Sequence, residues 1–89
     1  MKLARVVGTV VSTIKHPFFE NKKLLLCDFV TPEGAEAGGY TIAVDAVGAG
    51  VGDLVLLLDE GTSARQILGV EGAPVRTIVA GIVDEVYVP

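Results

Sequence analysis

His16 is the only histidine and Cys27 the only cysteine in this sequence of 89 residues, and both residue types are frequent in catalytic and metal sites. His16 could act as a general base or a pH switch, but no nucleophile or orienting carboxylate is paired with it in sequence, which favours a surface or interface histidine. Metal binding by nitrogen and sulfur needs three or four ligands, and an internal disulfide needs two cysteines. The sequence therefore predicts no catalytic residue, no metal site and no cofactor, and the protein is not expected to be an enzyme.

A glycine-rich run, Gly48-Ala49-Gly50-Val51-Gly52, resembles a loop that cradles phosphate. The dinucleotide-binding fingerprint, however, has a third glycine where Asp53 stands, and it is followed by a helix where a strand is predicted here. A carboxylate at that position would repel phosphate. We therefore interpret the run as a turn whose glycines permit close backbone approach.

A basic and aromatic cluster lies between Lys15 and Lys23, where lysines flank Phe18 and Phe19. On a small barrel such a loop can stack on bases and grip single-stranded nucleic acid. The net charge of −4 and the small number of further aromatic residues oppose this interpretation. Binding of single-stranded nucleic acid through this loop is therefore the alternative function, and packing of the two phenylalanines at an interface is favoured.

Length and composition limit the chain to a single domain, residues 1–89. No apolar stretch approaches the roughly 18 residues needed to cross a bilayer, and the sequence does not open with a signal-peptide pattern, so a soluble, cytoplasmic protein is expected. Hydrophobic residues make up 51% of the chain. Because so small a domain must leave much apolar surface exposed if it stays alone, we expect an oligomer.

Alternating apolar residues and turn residues predict five strands and one short helix. The strands are residues 3–15, 23–30, 40–47, 54–58 and 75–88, with a solvated loop over 31–39. Thr62 or Ser63 could cap a helix of at most two turns that ends at Gly69. Gly8 and Gly81 lie within the first and last strands and predict a bulge or sharp bend in each. This pattern favours an all-β fold, a small OB-like antiparallel barrel.

Motifs spread over essentially the whole chain form a recognisable set, which comprises residues 3–11, 13–17, 23–25, 44–56, 61–65 and 74–84. The most specific combination is the run 45–52 together with Ser63-Ala64-Arg65 and Gly81-Ile82-Val83-Asp84. In combination these motifs resemble the small pentameric vertex proteins of bacterial microcompartment shells, the EutN/CcmL family.

The resemblance implies an OB-like barrel that assembles as a ring-shaped homopentamer and closes the vertices of a polyhedral protein shell. The implied role is structural, and the implied location is a microcompartment shell in the cytoplasm. The implied partners are further copies of this chain and hexameric and pseudohexameric shell proteins.

The resemblance and the chemistry of individual residues suggest which side chains order loops or contact neighbouring subunits, and we treat these assignments as hypotheses. Asp45 and Arg65 are candidates for an ion pair or for contacts that clamp backbone and order loops, and Ser63 belongs to the same motif as Arg65. The small residues of the glycine run would allow close approach of subunits: Gly48, Ala49, Gly50 and Gly52. Four valines would supply apolar contact between subunits: Val7, Val11, Val79 and Val83.

Overall fold

The structure, a computed structural model, describes residues 1–11, 22–58 and 77–88, which form five β-strands. The strands are β1 (Lys2–Val10), β2 (Leu24–Val30), β3 (Glu36–Asp45), β4 (Leu54–Leu58) and β5 (Ile78–Ile82). They are rich in Val, Leu and Ile, the branched residues that pack well on a pleated surface. The predicted helix after Thr62 lies outside the described residues. In the ranges that are described, no helix is long and apolar enough to cross a membrane.

The five strands close into a barrel in the order β1, β2, β3, β5, β4. Four of the five neighbouring pairs are antiparallel, and the β3–β5 pair is parallel. The predicted five-stranded barrel is confirmed, but its description as antiparallel needs this correction. Strand directions cannot alternate all the way around a ring with an odd number of members, so a closed barrel of five strands must contain at least one parallel pair.

The barrel interior is filled by small and medium apolar side chains that alternate along the strands. Fully buried members of this cluster include Val6, Leu25, Cys27, Val55 and Leu57, and Phe29 packs against them. Among the described residues, every residue that is buried as a whole is apolar. The core is therefore held by apolar packing and by the backbone ladders.

Two bulges bend the strands near the two glycines that predicted them. In β1 the pairing with β2 jumps between Val6 and Gly8, so that Val7 is left as the extra residue. In β5, Gly81 pairs with Leu56 and Val79 pairs with Leu57, which leaves Ala80 without an opposing residue. Bulges of this kind increase local twist, which a barrel of so few strands requires.

Strand ends differ from the sequence prediction where loop contacts compete with pairing. β4 has the predicted bounds, whereas β3 begins at Glu36, because a turn ends at Ala35 and Glu36 pairs with Val30. β3 ends at Asp45, because the carboxylate of this residue draws the following backbone into a turn. β1 ends at Val10, before the predicted end, and residues 83–88 are not in a strand.

The burial of Cys27 predicts that its thiol reacts slowly in the native protein. Burial, and then the negative charges of Asp28 and Asp45, raise the pKa of this thiol. Because the thiolate is the reactive form, a thiol reagent should label the native protein at least about a hundredfold more slowly than the protein in denaturant. Cys27 is the only cysteine, so time courses of labelling in the two conditions serve as each other's control. Equal rates would contradict the buried position.

Candidate functional site: an assembly surface

The loop between β3 and β4, residues 46–53, is ordered by one carboxylate at its start. Asp45 Oδ1 accepts hydrogen bonds from the backbone N–H groups of Val47, Gly48 and Ala49 at 3.0, 3.1 and 3.2 Å. An aspartate side chain that bonds to the backbone just after it creates a turn without help from distant residues. We call residues 46–53 the glycine loop.

Lys23 fastens the same end of the glycine loop to β2. Its Nζ lies 3.2 Å from Asp45 Oδ2 and donates a hydrogen bond to the carbonyl oxygen of Ala49 at 2.6 Å. The Asp45 side chain is only 5% exposed in this arrangement. Burial by itself would raise the pKa of Asp45, but hydrogen bonds from Val47 and Ala49 and the contact with Lys23 together lower it. The carboxylate is thus held in its charged form.

The far end of the glycine loop is fastened to β1. The N–H of Gly52 donates to the carbonyl of Val6 at 2.8 Å, and the N–H of Val6 donates to the carbonyl of Asp53 at 3.0 Å. The Arg5 guanidinium donates to the carbonyl of Gly52 at 2.9 Å. Asp53 Oδ2 also accepts from the N–H of Gly50 at 2.8 Å. Contacts from β1, from the end of β3 and from Lys23 just before β2 therefore fix the loop.

The glycines of this loop differ in whether the backbone conformation requires glycine. Gly48 and Gly52 have φ angles of 80° and 96°, a region that side chains disfavour. Gly50 does not have a positive φ, and a Cβ built on it meets no atom within 4 Å. The single chain therefore requires glycine at positions 48 and 52, whereas it leaves open space at Gly50.

Large apolar side chains lie exposed next to this ordered loop and across the outer face of the sheet. On the loop they are Val47 and Val51, 40% and 66% exposed. On the sheet they are Val7 at the β1 bulge and Tyr40 and Ile42 on β3, which are 44%, 69% and 48% exposed. A single soluble domain rarely leaves so much apolar surface in contact with water unless another protein covers it.

The structure separates the predicted assembly residues into groups. Val7 and Val11 are exposed, and Val83 is half-buried just after β5. Gly48, Gly50 and Gly52 lie in the ordered loop, whose Ala49 methyl group points into the barrel core. The residues that lie outside the described part of the chain are Ser63 and Arg65.

Val79 corrects the expectation that four valines contact a neighbouring subunit. Its side chain is fully buried and belongs to the cluster inside the barrel. A side chain without exposed surface in the single chain has none to offer to a neighbour. The sequence analysis missed Lys23 as a residue that orders the loop, because β2, a turn and nearly all of β3 separate it from Asp45 in sequence.

One groove on the described surface lies where β1 begins and β2 ends. Its volume is about 480 Å³, its lining is mainly apolar and comes from β1 to β4 and the loop that follows β2, and Lys2 is the one ionisable side chain among its described lining residues. The Lys2 ammonium lies 4.8 Å from the centre of the Phe29 ring. No group of three or more potential metal ligands occurs in residues 1–11, 22–58 and 77–88.

Comparison with known proteins identifies the family. The sequence matches the family described as "Ethanolamine utilisation protein EutN/carboxysome" over residues 1–84. The chain belongs to the EutN/CcmL family. The resemblance seen in the sequence motifs is thereby confirmed.

Relatives of this EutN/CcmL chain align over nearly its full length. It is 45% identical to the bacterial microcompartment shell vertex protein EutN of Escherichia coli, with 97% of this chain and 90% of the relative covered. It is 48% identical to the shell vertex protein PduN of Salmonella typhimurium, with coverage of 94% and 96%. These names describe shell proteins and lend no support to nucleic-acid binding.

Solved structures confirm the fold. The CcmL structure from Gloeobacter violaceus superposes with a TM-score of 0.89 at 42% identity, covering 99% of this chain and 90% of that one. The pentameric microcompartment shell protein GrpN from Rhodospirillum rubrum superposes with a TM-score of 0.88 at 38% identity, and both chains are covered completely. The barrel of this chain is therefore one that is known to occur in pentamers.

Two substitutions of Asp45 should separate the effect of its hydrogen bonds to the loop backbone from the effect of its ion pair with Lys23. Asp45→Asn keeps an acceptor for the three amides but presents a neutral amide to Lys23, and should cost about 1 kcal/mol of unfolding free energy. Asp45→Ala leaves those amides without their acceptor and should cost about 2–3 kcal/mol. Urea unfolding followed by circular dichroism, at one protein concentration, measures both values. Equal costs for the two variants would show that the backbone contacts do not stabilise the fold.

The same carboxylate should make stability depend on acidity. Because the native pKa of Asp45 lies below its ordinary value of 3.8, the stabilisation is fully present above that value and is lost as the pH falls through the native pKa. The difference in unfolding free energy between the natural protein and Asp45→Asn should be constant near neutrality and shrink below about pH 4. A difference that grew in acid would contradict the lowered pKa.

Proposed function

We propose that this chain is a structural protein whose homopentamer occupies the vertices of a bacterial microcompartment shell. The observation that carries the proposal is agreement along the whole length with proteins named as shell vertex proteins, joined to a barrel that superposes on a pentameric shell protein. The described surface is consistent with this role, because it carries several large apolar side chains that are exposed in the single chain.

A fivefold unit has a geometric role in such a shell. A flat sheet of hexagonal tiles closes into a polyhedron only where units with five neighbours replace units with six. Hexameric and pseudohexameric shell proteins are therefore the partners that we propose for the outer rim of the ring. The chain would act in the cytoplasm as a part of the shell, and the chemistry would belong to the enzymes inside.

A ring of five requires two different patches that fit each other, because its interface is heterologous. The glycine loop with Val47 and Val51 supplies one ordered, mostly apolar surface, and the outer face of β1 to β3 supplies another. Order matters here, since a loop that is already fixed loses little conformational entropy when a neighbour packs on it. Asp45 and Lys23 would thus act on assembly indirectly, by holding the loop.

The native mass tests the proposal directly. Five copies of the 9.2 kDa chain have a mass of about 46 kDa (5 × 9.2 kDa), and this species should persist on dilution in native mass spectrometry or light scattering. The next measurement is co-assembly of the purified protein with hexameric shell proteins into closed particles. A stable monomer or dimer would contradict the proposed function.

Gly50→Val tests the glycine loop as a contact surface. The single chain has space for a side chain at this position, so the variant should retain the circular dichroism spectrum of the natural protein. If a neighbouring subunit approaches the loop closely, the added isopropyl group should weaken self-association about tenfold or more. Gly50→Ala, which adds one methyl group, is the matched control and should have a smaller effect. Unchanged assembly of Gly50→Val would show that the loop is a free surface.

A further inference from the structure

The segment after β5, residues 83–88, leaves the barrel beside the glycine loop. The N–H of Val83 donates to the carbonyl of Leu54 at 2.8 Å, and Leu54 directly follows the last residue of that loop. Beyond this bond no backbone hydrogen bond joins the segment to the rest of the described chain. Its large apolar residues are exposed: Val86 at 37%, Tyr87 at 86% and Val88 at 53%. In the single chain the segment therefore starts next to the loop but is not covered by it.

Alternation along this segment separates its side chains into two faces. The Tyr87 hydroxyl donates a hydrogen bond to the Glu85 carboxylate, so these two side chains lie on the same side of the backbone. Side chains two residues apart share a face in an extended chain. The other face carries one carboxylate followed by two valines, and we call it the valine face: Asp84, Val86 and Val88. At about 3.3 Å per residue this face is about 13 Å long.

Lys23 presents a positive charge beside the glycine loop. The carboxylate that it binds, Asp45, is only 5% exposed, whereas the Lys23 side chain is 45% exposed. A lysine ammonium has three N–H donors, and the described chain supplies two acceptors, Asp45 Oδ2 and the carbonyl of Ala49. The charge that faces water at this point is therefore the cation, and it keeps one donor for a further acceptor.

Apolar surface continues from Lys23 along the loop. Val47 and Val51 are 40% and 66% exposed, and a Cβ at Gly50 would meet no atom within 4 Å. One cation followed by two valines on the loop matches one carboxylate followed by two valines on the segment. The two surfaces are thus complementary in charge and in apolar area. They are also different parts of one chain, as the heterologous contact of a closed ring requires.

We propose that in the pentamer the 83–88 segment of each subunit lies across the glycine loop of the next subunit. Its valine face packs on Val47 and Val51, and Asp84 faces Lys23. This inference rests on the proposed function, because it needs a ring of identical chains and names the part of the neighbour that covers the loop. In a closed ring every loop receives one segment and every segment covers one loop.

A designed disulfide tests this contact and identifies which chains make it. Val51→Cys and Val88→Cys place two thiols at exposed positions, one on the loop and one on the valine face. Because Asp84 faces Lys23, the far end of the valine face lies nearest Val51. Two cysteines can be joined only when their Cα atoms lie within about 7 Å. Mild oxidation of the assembled, full-length double variant should therefore link neighbouring chains into a ladder in non-reducing electrophoresis.

Each single cysteine variant is a matched control for the double variant and should give no ladder. The natural Cys27 is buried, so its thiol should not take part in either case. A disulfide inside one chain, seen as a monomer band with altered mobility, would show that the segment covers its own loop and would overturn the proposal. Absence of any link in an intact pentamer would overturn it as well.

Reversal of one charge tests the orientation of the segment. Asp84→Lys places a like charge opposite Lys23 and should weaken self-association about tenfold or more. Glu85→Lys makes the same change of charge on the face that carries Tyr87, so it is the matched control and should have a clearly smaller effect. The circular dichroism of the barrel should be unchanged in both, because residues 84 and 85 lie outside its strands. Equal effects of the two reversals would contradict the valine face as the contact.

These measurements distinguish failure of the contact from failure of the proposed function. An intact pentamer that forms no interchain disulfide, and in which the two charge reversals have equal effects, would overturn the contact and leave the vertex function standing. A natural, full-length protein that stays monomeric would overturn both. An interchain ladder together with the larger effect of Asp84→Lys would establish the contact. The charge reversals leave the loop unchanged, so they decide the question even if the double cysteine variant does not assemble.

Discussion

Closure of a barrel with five strands is the constraint on which the rest of this structure depends. An odd number of strands forces one parallel pair, and here that pair is β3 and β5, joined only through Val44 and Asp45. Tyr40 and Ile42 precede this pair on β3, and their apolar side chains are exposed on the outside of the barrel. A strand that helps to close the fold thus also carries apolar surface that a second copy can cover.

A second link between fold and assembly is the polar network around Asp45. This residue ends β3, orders the first half of the glycine loop through three amides, and is held by Lys23, which immediately precedes β2. The other half of the loop continues the pairing of β1 through Val6 and Gly52. The glycines at 48 and 52 are required by their own backbone angles, whereas Gly50 is free of any such requirement. The absence of a requirement at Gly50 fits the proposed approach of a neighbouring subunit to the glycine loop.

Much of the fold could be predicted from local sequence, and the failures have physical causes. Alternation of apolar residues located all five strands, and Gly8 and Gly81 indicated the bulges, because these signals depend on neighbouring residues. Strand ends were less predictable: β3 begins at Glu36, although residues 36–39 contain two glycines, because Val30 on β2 offers a partner. The burial of Val79 and the contact between Lys23 and Asp45 depend on residues far apart in sequence, which no local pattern encodes. Family motifs supplied the function, which the barrel alone does not specify.

The small size of the subunit explains why assembly and stability are coupled. Side chains that fill the interior are mostly Val, Leu and Ala, and a barrel of this size has no room for more. Several large apolar residues of the described chain lie on the outside, where water contacts them in a single chain. Burying them between subunits adds apolar contact that a barrel of so few residues does not provide internally. The ring is therefore expected to supply part of the stability of each barrel, so that substitutions that weaken subunit contacts should also lower resistance to unfolding.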